Sequence, residues 1–93
     1  MTTWAMTDSD AIIHQLKDEG FGRVFVWRDG PGAVYPDHTH PGKTAHVVLE
    51  GEITITSAGQ TVTYRQGDRF DVPANQVHRA RAGSRGCVYV VGE

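Results

Sequence analysis

From Gly20 onward the chain is broken every few residues by glycine, proline or asparagine, and this spacing constrains the fold more than any other feature. The breaks are Asp29-Gly30-Pro31-Gly32, Glu50-Gly51, Ala58-Gly59, Gln66-Gly67, Pro73-Ala74-Asn75 and Gly83-Ser84-Arg85-Gly86. Each reads as a turn, because glycine and asparagine accept positive φ and proline pre-sets its own. The pieces between them have strand length: Arg23–Arg28, Ala33–His38, Lys43–Leu49, Glu52–Ser57, Thr61–Arg65, Asp68–Val72, Val77–Ala82 and Cys87–Val91. Several alternate with a period of two. Val24 and Val26 oppose Phe25 and Trp27, Ile53 and Ile55 oppose Thr54 and Thr56, and Val62 and Tyr64 oppose Thr61 and Thr63. Alternation of this kind marks a strand with one face buried. Short strands at regular spacing predict an all-β sandwich or barrel.

One helix is predicted, near the start. Asp8, Ser9 and Asp10 offer N-cap chemistry, Ile12, Ile13 and Leu16 share a face, and Gly20 stands where a C-terminal stop belongs. It is expected to pack across an opening or edge of the barrel. The reading is therefore one domain over 1–93, with a helical segment at 1–20 and the barrel at 21–93. A chain of 93 residues leaves no room for a second domain.

Composition excludes several function classes. A net charge of −2 gives no basic surface for nucleic acid. Arg79, Arg81 and Arg85 cluster without an aromatic platform, and read as a solvated strand face and turn. The single cysteine, Cys87, lies in an apolar run, so it can make no intrachain disulfide and reads as a small buried hydrophobe. The stretch MTTWAMTDSD lacks the basic-then-apolar pattern of a secretory leader, and no apolar run reaches the length of a membrane span. A cytoplasmic protein with no membrane partner is the expectation.

The chemistry lies in the histidines. His38 and His40 are two apart on a predicted strand and project together. His46 keeps their parity if the strand resumes without a bulge, and His78 follows the turn at Pro73-Ala74-Asn75. Imidazoles that converge in this way suit a metal. Asp37 has the opposite parity and is not counted as a ligand. His14, on the helix, reads as a surface or capping residue.

These residues resemble the two motifs of the cupin superfamily. The first motif runs Gly, five residues, His-x-His, three or four residues, Glu, six residues, Gly. Here Gly32, His38-Thr39-His40 and Gly51 fit, with Thr44 in the glutamate's place. The second runs Gly, five residues, Pro-x-Gly, two residues, His, three residues, Asn. Here Gly67, Pro73 and His78 fit, with Asn75 for the glycine and Ala82 for the final asparagine. The resemblance spans residues 32 to 82 and implies a jelly-roll barrel holding one divalent metal on His38, His40 and His78. It does not supply the glutamate. His46 either replaces that ligand or merely lines the barrel. An all-histidine site is compatible with Zn, Fe, Ni, Cu or Mn.

Cupins host enzymes, binders and sensors, so the resemblance leaves two readings open. One is a metal-dependent enzyme acting on a small organic substrate. The other is a non-catalytic binder of metal or small molecule. Val34, Val48, Phe70 and Ala80 are the expected lining of an apolar cavity. No obvious general base stands beside the site, and Tyr35, Tyr64, Tyr89 and Glu50 are candidates only in lying on barrel strands or ends. The strand Lys43–Leu49 is apolar on both faces. Its outer stripe of Ala45, Val47 and Leu49 needs a cover, either the helix or a second subunit, and a homodimer is the expectation.

Overall fold

The computed structural model describes residues 8–93. The absence of a leader was read largely from residues 1–7, which lie outside the described residues. Helix α1 spans Ser9–Asp18. The Asp8 side chain caps it by accepting the Ala11 N–H at 3.0 Å, and Gly20 follows with φ +103°. Six strands come next: β1 Val24–Asp29, β2 Val34–His38, β3 Thr44–Ser57, β4 Gln60–Arg65, β5 Arg69–Val72 and β6 His78–Gly92. No helix among the described residues is long and apolar enough to cross a membrane.

Six strands rather than eight is a correction with a physical cause. Two expected turns, at Glu50-Gly51 and Gly83–Gly86, do not reverse the chain. They bend continuous strands, so Lys43–Leu49 joins Glu52–Ser57 in β3, and Val77–Ala82 joins Cys87–Val91 in β6. The β3–β6 register slips between Val48 and Glu50 and again between Gly51 and Ile53. Bulges of this kind turn a corner without ending the ladder. Gly51 and Gly86 hold φ of +74° and +77° there. A Cβ on Gly51 would collide with the Gly86 carbonyl oxygen, and one on Gly86 with the Asp29 carbonyl oxygen. Only glycine permits both the backbone angle and the approach.

Past the corner each long strand exchanges neighbours. The first half of β3 lies between β5 and the second half of β6, which β1 flanks in turn. The second half of β3 lies between β4 and the first half of β6, which β2 flanks. The sheet thus folds over on itself as a jelly-roll barrel of antiparallel strands. The inner faces pack Val48, Ile53, Phe70, Val72, Ala82 and Cys87 into one core. The Cys87 thiol is pushed up to about 12, chiefly by burial and then by the charges of Asp29 and Glu52, which leaves it a hydrophobe rather than a nucleophile. Outward-facing Thr54–Thr63 and Thr56–Thr61 pair their hydroxyls at 2.8 and 3.0 Å across β3 and β4. Arg79, Arg81 and Arg85 are exposed, as expected.

Helix α1 lies on the outer face of the sheet rather than across an opening. Ile12 and Leu16 pack with Ala45, Val47, Val88 and Val90 in a second buried cluster. The apolar stripe of β3 is therefore covered within the chain and gives no reason for a second subunit. Val47 is 0% exposed, so Val47→Glu would bury a charge in the fold and cannot probe an interface. Arg69 on β5 fixes the far end of the helix. It donates to both Glu19 oxygens at 2.7 Å and to Asp71, and this hydrogen bonding holds the Glu19 carboxyl at about 2.

The two corners generate a prediction about glycine. Gly59→Ala, in open space at φ +77°, should cost about 1–2 kcal/mol for the left-handed backbone. Gly51→Ala should cost that and a further ~1–3 kcal/mol of overpacking. Urea unfolding of both variants checks the ranking.

Candidate metal centre

The site forms where β2, the loop after it, and the start of β6 meet. His38 ends β2 and pairs in register with His78, the first residue of β6. His40 follows in the loop, where its carbonyl accepts the Asn75 N–H at 2.8 Å. Asn75 itself sits at φ +60°, so the asparagine in the glycine's place keeps the turn that sets His78. One nitrogen from each of His38, His40 and His78 lies within 4.8 Å of the others. The rings sit close, with His38 and His78 centroids 4.1 Å apart. Among the described residues no carboxylate belongs to this group.

The hydrogen bonds of the rings fit metal ligation. His38 Nδ1 lies 2.6 Å from the Pro36 carbonyl oxygen, and His78 Nδ1 lies 3.0 Å from that of Gln76. A carbonyl can only accept, so both Nδ1 atoms carry the proton and both Nε2 atoms offer a lone pair. A carbonyl behind the ring is the usual way in which a ligating imidazole is fixed in tautomer and direction. His40 is held below the ordinary histidine range by burial, then by its two histidine neighbours, and so it too stays neutral. Three neutral imidazoles suit a divalent transition metal.

His46 is not brought into this group. It lines the same cavity but stacks on Phe70, with centroids 4.4 Å apart and planes at 8°. Burial lowers it to about 4, against a weaker opposite pull from the Phe70 main chain. The Nδ1 of His46 is buried. Thr44, on the same face of β3, keeps an unpartnered, buried Oγ1. His14 is exposed beside Asp18, at 3.4 Å.

The triad opens on a cavity of about 430 Å³. Its walls include Phe25, Ile53, Ile55, Phe70, Ala80 and Val91, and the Arg23–Glu93 pair at 3.3 Å also borders it. Phe70 and Ala80 are therefore lining residues as expected. Val34 is 59% exposed and Val48 lies in the core. For Val34 the cause is a register shift in β2 between Tyr35 and His38. It reverses parity, so Tyr35 rather than Val34 faces inward with His38. Of the candidate bases, Tyr35 and Tyr89 line the cavity, Tyr64 stacks behind Phe70, and Glu50 is exposed.

Asp29 is the residue that sequence reasoning missed. Placed in a turn by its Gly-Pro-Gly neighbours, it instead ends β1 and is only 6% exposed. Its carboxylate accepts the Trp27 indole N–H at 2.8 Å, the Tyr89 hydroxyl at 2.7 Å, and the Tyr35 hydroxyl in a short hydrogen bond. The alternation Phe25, Trp27, Asp29 was the available signal. Burial, then the Asp29 hydrogen bond, pushes both phenols upward. They are fixed donors, not bases.

The comparisons with known proteins now bear on this geometry. The family model described as "Cupin domain" matches residues 25–91. The chain belongs to the cupin family. Among solved structures, a cupin-like protein from Thermotoga maritima has 26% identity and a TM-score of 0.68, over 81% of this chain and 59% of that one. The DMSP lyase DddQ from Ruegeria pomeroyi has 26% identity and a TM-score of 0.67, over 73% of this chain and 35% of its own. A cupin superfamily protein from Desulfitobacterium hafniense, at 19% identity and TM-score 0.64 over 76% and 77%, shows the fold alone. No curated protein matches in sequence.

The state of His46 in this cupin gives a pH prediction. Burial holds the folded residue at about 4, below the ordinary histidine value of 6.5, so the unfolded chain binds the extra proton first. Stability from this residue is whole above pH 6.5 and is lost as pH falls through 4. In metal-free protein, His46→Phe should flatten that decline by on the order of 3 kcal/mol at pH 4. Chemical unfolding at stepped pH measures it.

Proposed function

We propose that this cupin binds one divalent transition metal on His38, His40 and His78 and presents it to a small organic oxygen ligand in the barrel. The observation that carries the reading is the pair of Nδ1–carbonyl hydrogen bonds, which leave the Nε2 atoms of His38 and His78 free beside His40. Three ligands leave a coordination position open, as catalytic sites do. A bound cation supplies Lewis acidity toward a ligand oxygen. With three neutral imidazoles and no carboxylate in the group, its charge is uncompensated, which favours an anionic ligand such as a carboxylate. The apolar walls exclude water around that ligand.

A metal-dependent enzyme is the reading these features support best, and the likeness to a DMSP lyase agrees with it. One observation favours the non-catalytic alternative. Tyr35 and Tyr89 are tied to Asp29, so neither is free to take a proton. The metal itself is Zn, Fe, Ni, Cu or Mn.

Metal analysis of untagged protein should give about one equivalent per chain. His38→Ala together with His40→Ala should abolish it, whereas His46→Ala should leave most of it in place. Retention of the metal by the double variant would overturn the assignment. Affinity should also fall as pH drops through the free-histidine range near ~6.5, because neutral imidazole is the ligand.

A further inference from the structure

The cavity has a second pole besides the histidine triad. Among the described residues that line it, Arg23 carries the one fixed positive charge and Glu93 the one carboxylate. Both stand where the cavity meets solvent, with side chains 74% and 39% exposed. Arg23 is fixed there by its neighbours. Its main chain exchanges hydrogen bonds of 3.1 and 2.9 Å with that of Glu93, which extends the β1–β6 ladder. Its guanidinium carbon lies 4.8 Å from the centroid of the Phe25 ring, another lining residue, and an aromatic face holds a cation. The ion pair with Glu93 is loose, with a closest approach of 3.3 Å. Arg69 shows the contrast, since it grips Glu19 through two hydrogen bonds of 2.7 Å. An exposed pair as loose as that of Arg23 is worth little, so its cation is open to another anion.

We infer that Arg23 forms a second anion site at the mouth of the cavity, and that the ligand is an aliphatic diacid with one carboxylate at the histidine triad and the other on the Arg23 guanidinium. A guanidinium presents a planar fork that meets a carboxylate through two parallel hydrogen bonds. The incoming carboxylate takes the place of Glu93, whose side chain turns to the water it already meets. The walls select what joins the two acid groups. Phe25, Ile53, Ile55, Ala80 and Val91 offer a polar substituent no partner, and an unmatched polar group is costly. Methylenes suit such a wall. A cation site, an apolar wall and a guanidinium at the rim thus match a carboxylate, an alkyl chain and a second carboxylate. This deepens the metal reading above and rests on it for the end at the triad.

The test uses the full chain loaded with zinc alone. Butanoate, pentanoate and hexanoate are titrated calorimetrically against succinate, glutarate and adipate. At least one diacid should bind about tenfold tighter than the monoacid of its length, the worth of one hydrogen-bonded contact to a charged group and more than the roughly twofold gain of having two equivalent ends. Arg23→Gln should cut that ratio to about twofold and keep the monoacid's affinity, because only the contact at the rim is lost. Glu93→Gln removes the competing carboxylate and should raise the ratio. Labelling with phenylglyoxal gives a readout apart from affinity. The diacid should shield Arg23 from the reagent, read by mass spectrometry, while exposed Arg28 stays reactive, and the monoacid should shield neither. Diacids that never exceed their monoacids would overturn the inference and leave the metal reading standing. So would a ratio that survives Arg23→Gln, which would put both carboxylates on the metal. If neither kind of acid binds the zinc form, the metal reading itself fails and the diacid falls with it.

Discussion

The barrel depends on one long pairing, that of β3 with β6. These two strands run through both halves of the molecule, and each other strand pairs with one of them. Such a pair can close a barrel only if it bends, and it bends where Gly51 and Gly86 bring their backbones together. Each consequence of the fold follows from that corner. It aims the first half of β6 so that His78 meets the end of β2. It aims the second half so that Tyr89 reaches Asp29 on β1. Bulges at barrel corners commonly set the direction of functional side chains, and here two glycines do so for both ends of the cavity.

How much of this was legible in the chain depends on what each feature rests on. Alternation gave the strands, because burial on one face is a local pattern. It also placed Thr44 and His46 on one face of β3. The corners were read as turns, because a glycine with positive φ looks the same in sequence whether the chain reverses or merely bends. The hydrogen bonds of the partner strand decide between those, and they are set by residues tens of positions away. The bulge in β2 was invisible for the same reason. It exchanged Val34 for Tyr35 as a lining residue, although His38 faces the cavity as parity required. The cover over Ala45, Val47 and Leu49 was left between helix and partner subunit, since both are amphipathic solutions to one exposed stripe. Ile12 and Leu16 settle what covers it within the chain.

The histidines divide by what stands behind them. His38 and His78 each have a carbonyl behind the ring, supplied two residues earlier in the chain. That short-range arrangement was available in principle from the sequence, since Pro36 and Gln76 hold the same position before their histidines. His46 has no such support. It lies flat on Phe70, and a ring held by stacking is directed by its neighbour rather than toward a common centre. Parity put His46 on the right face and could not say where along the barrel its nitrogens would end. Spacing therefore placed three imidazoles in one group, and the fourth lines the same cavity outside that group.

The buried polar residues make the electrostatic logic of the cavity plain. The buried polar or charged residues among those described are Asp29, Thr44 and His78. Asp29 lies behind the wall, and its charge is matched by three donors from Trp27, Tyr35 and Tyr89. That arrangement ties β1, β2 and β6 together at the cavity and turns the hydroxyls of two lining tyrosines outward from it. It also keeps the buried carboxylate away from the imidazoles. A glutamate at position 44 would have placed a second negative charge inside the barrel, able to neutralise part of a cation there. Under the metal reading proposed above, threonine in that place leaves a cation's charge to be met by a ligand, so this departure from the family motif would move the anion from the protein to the ligand.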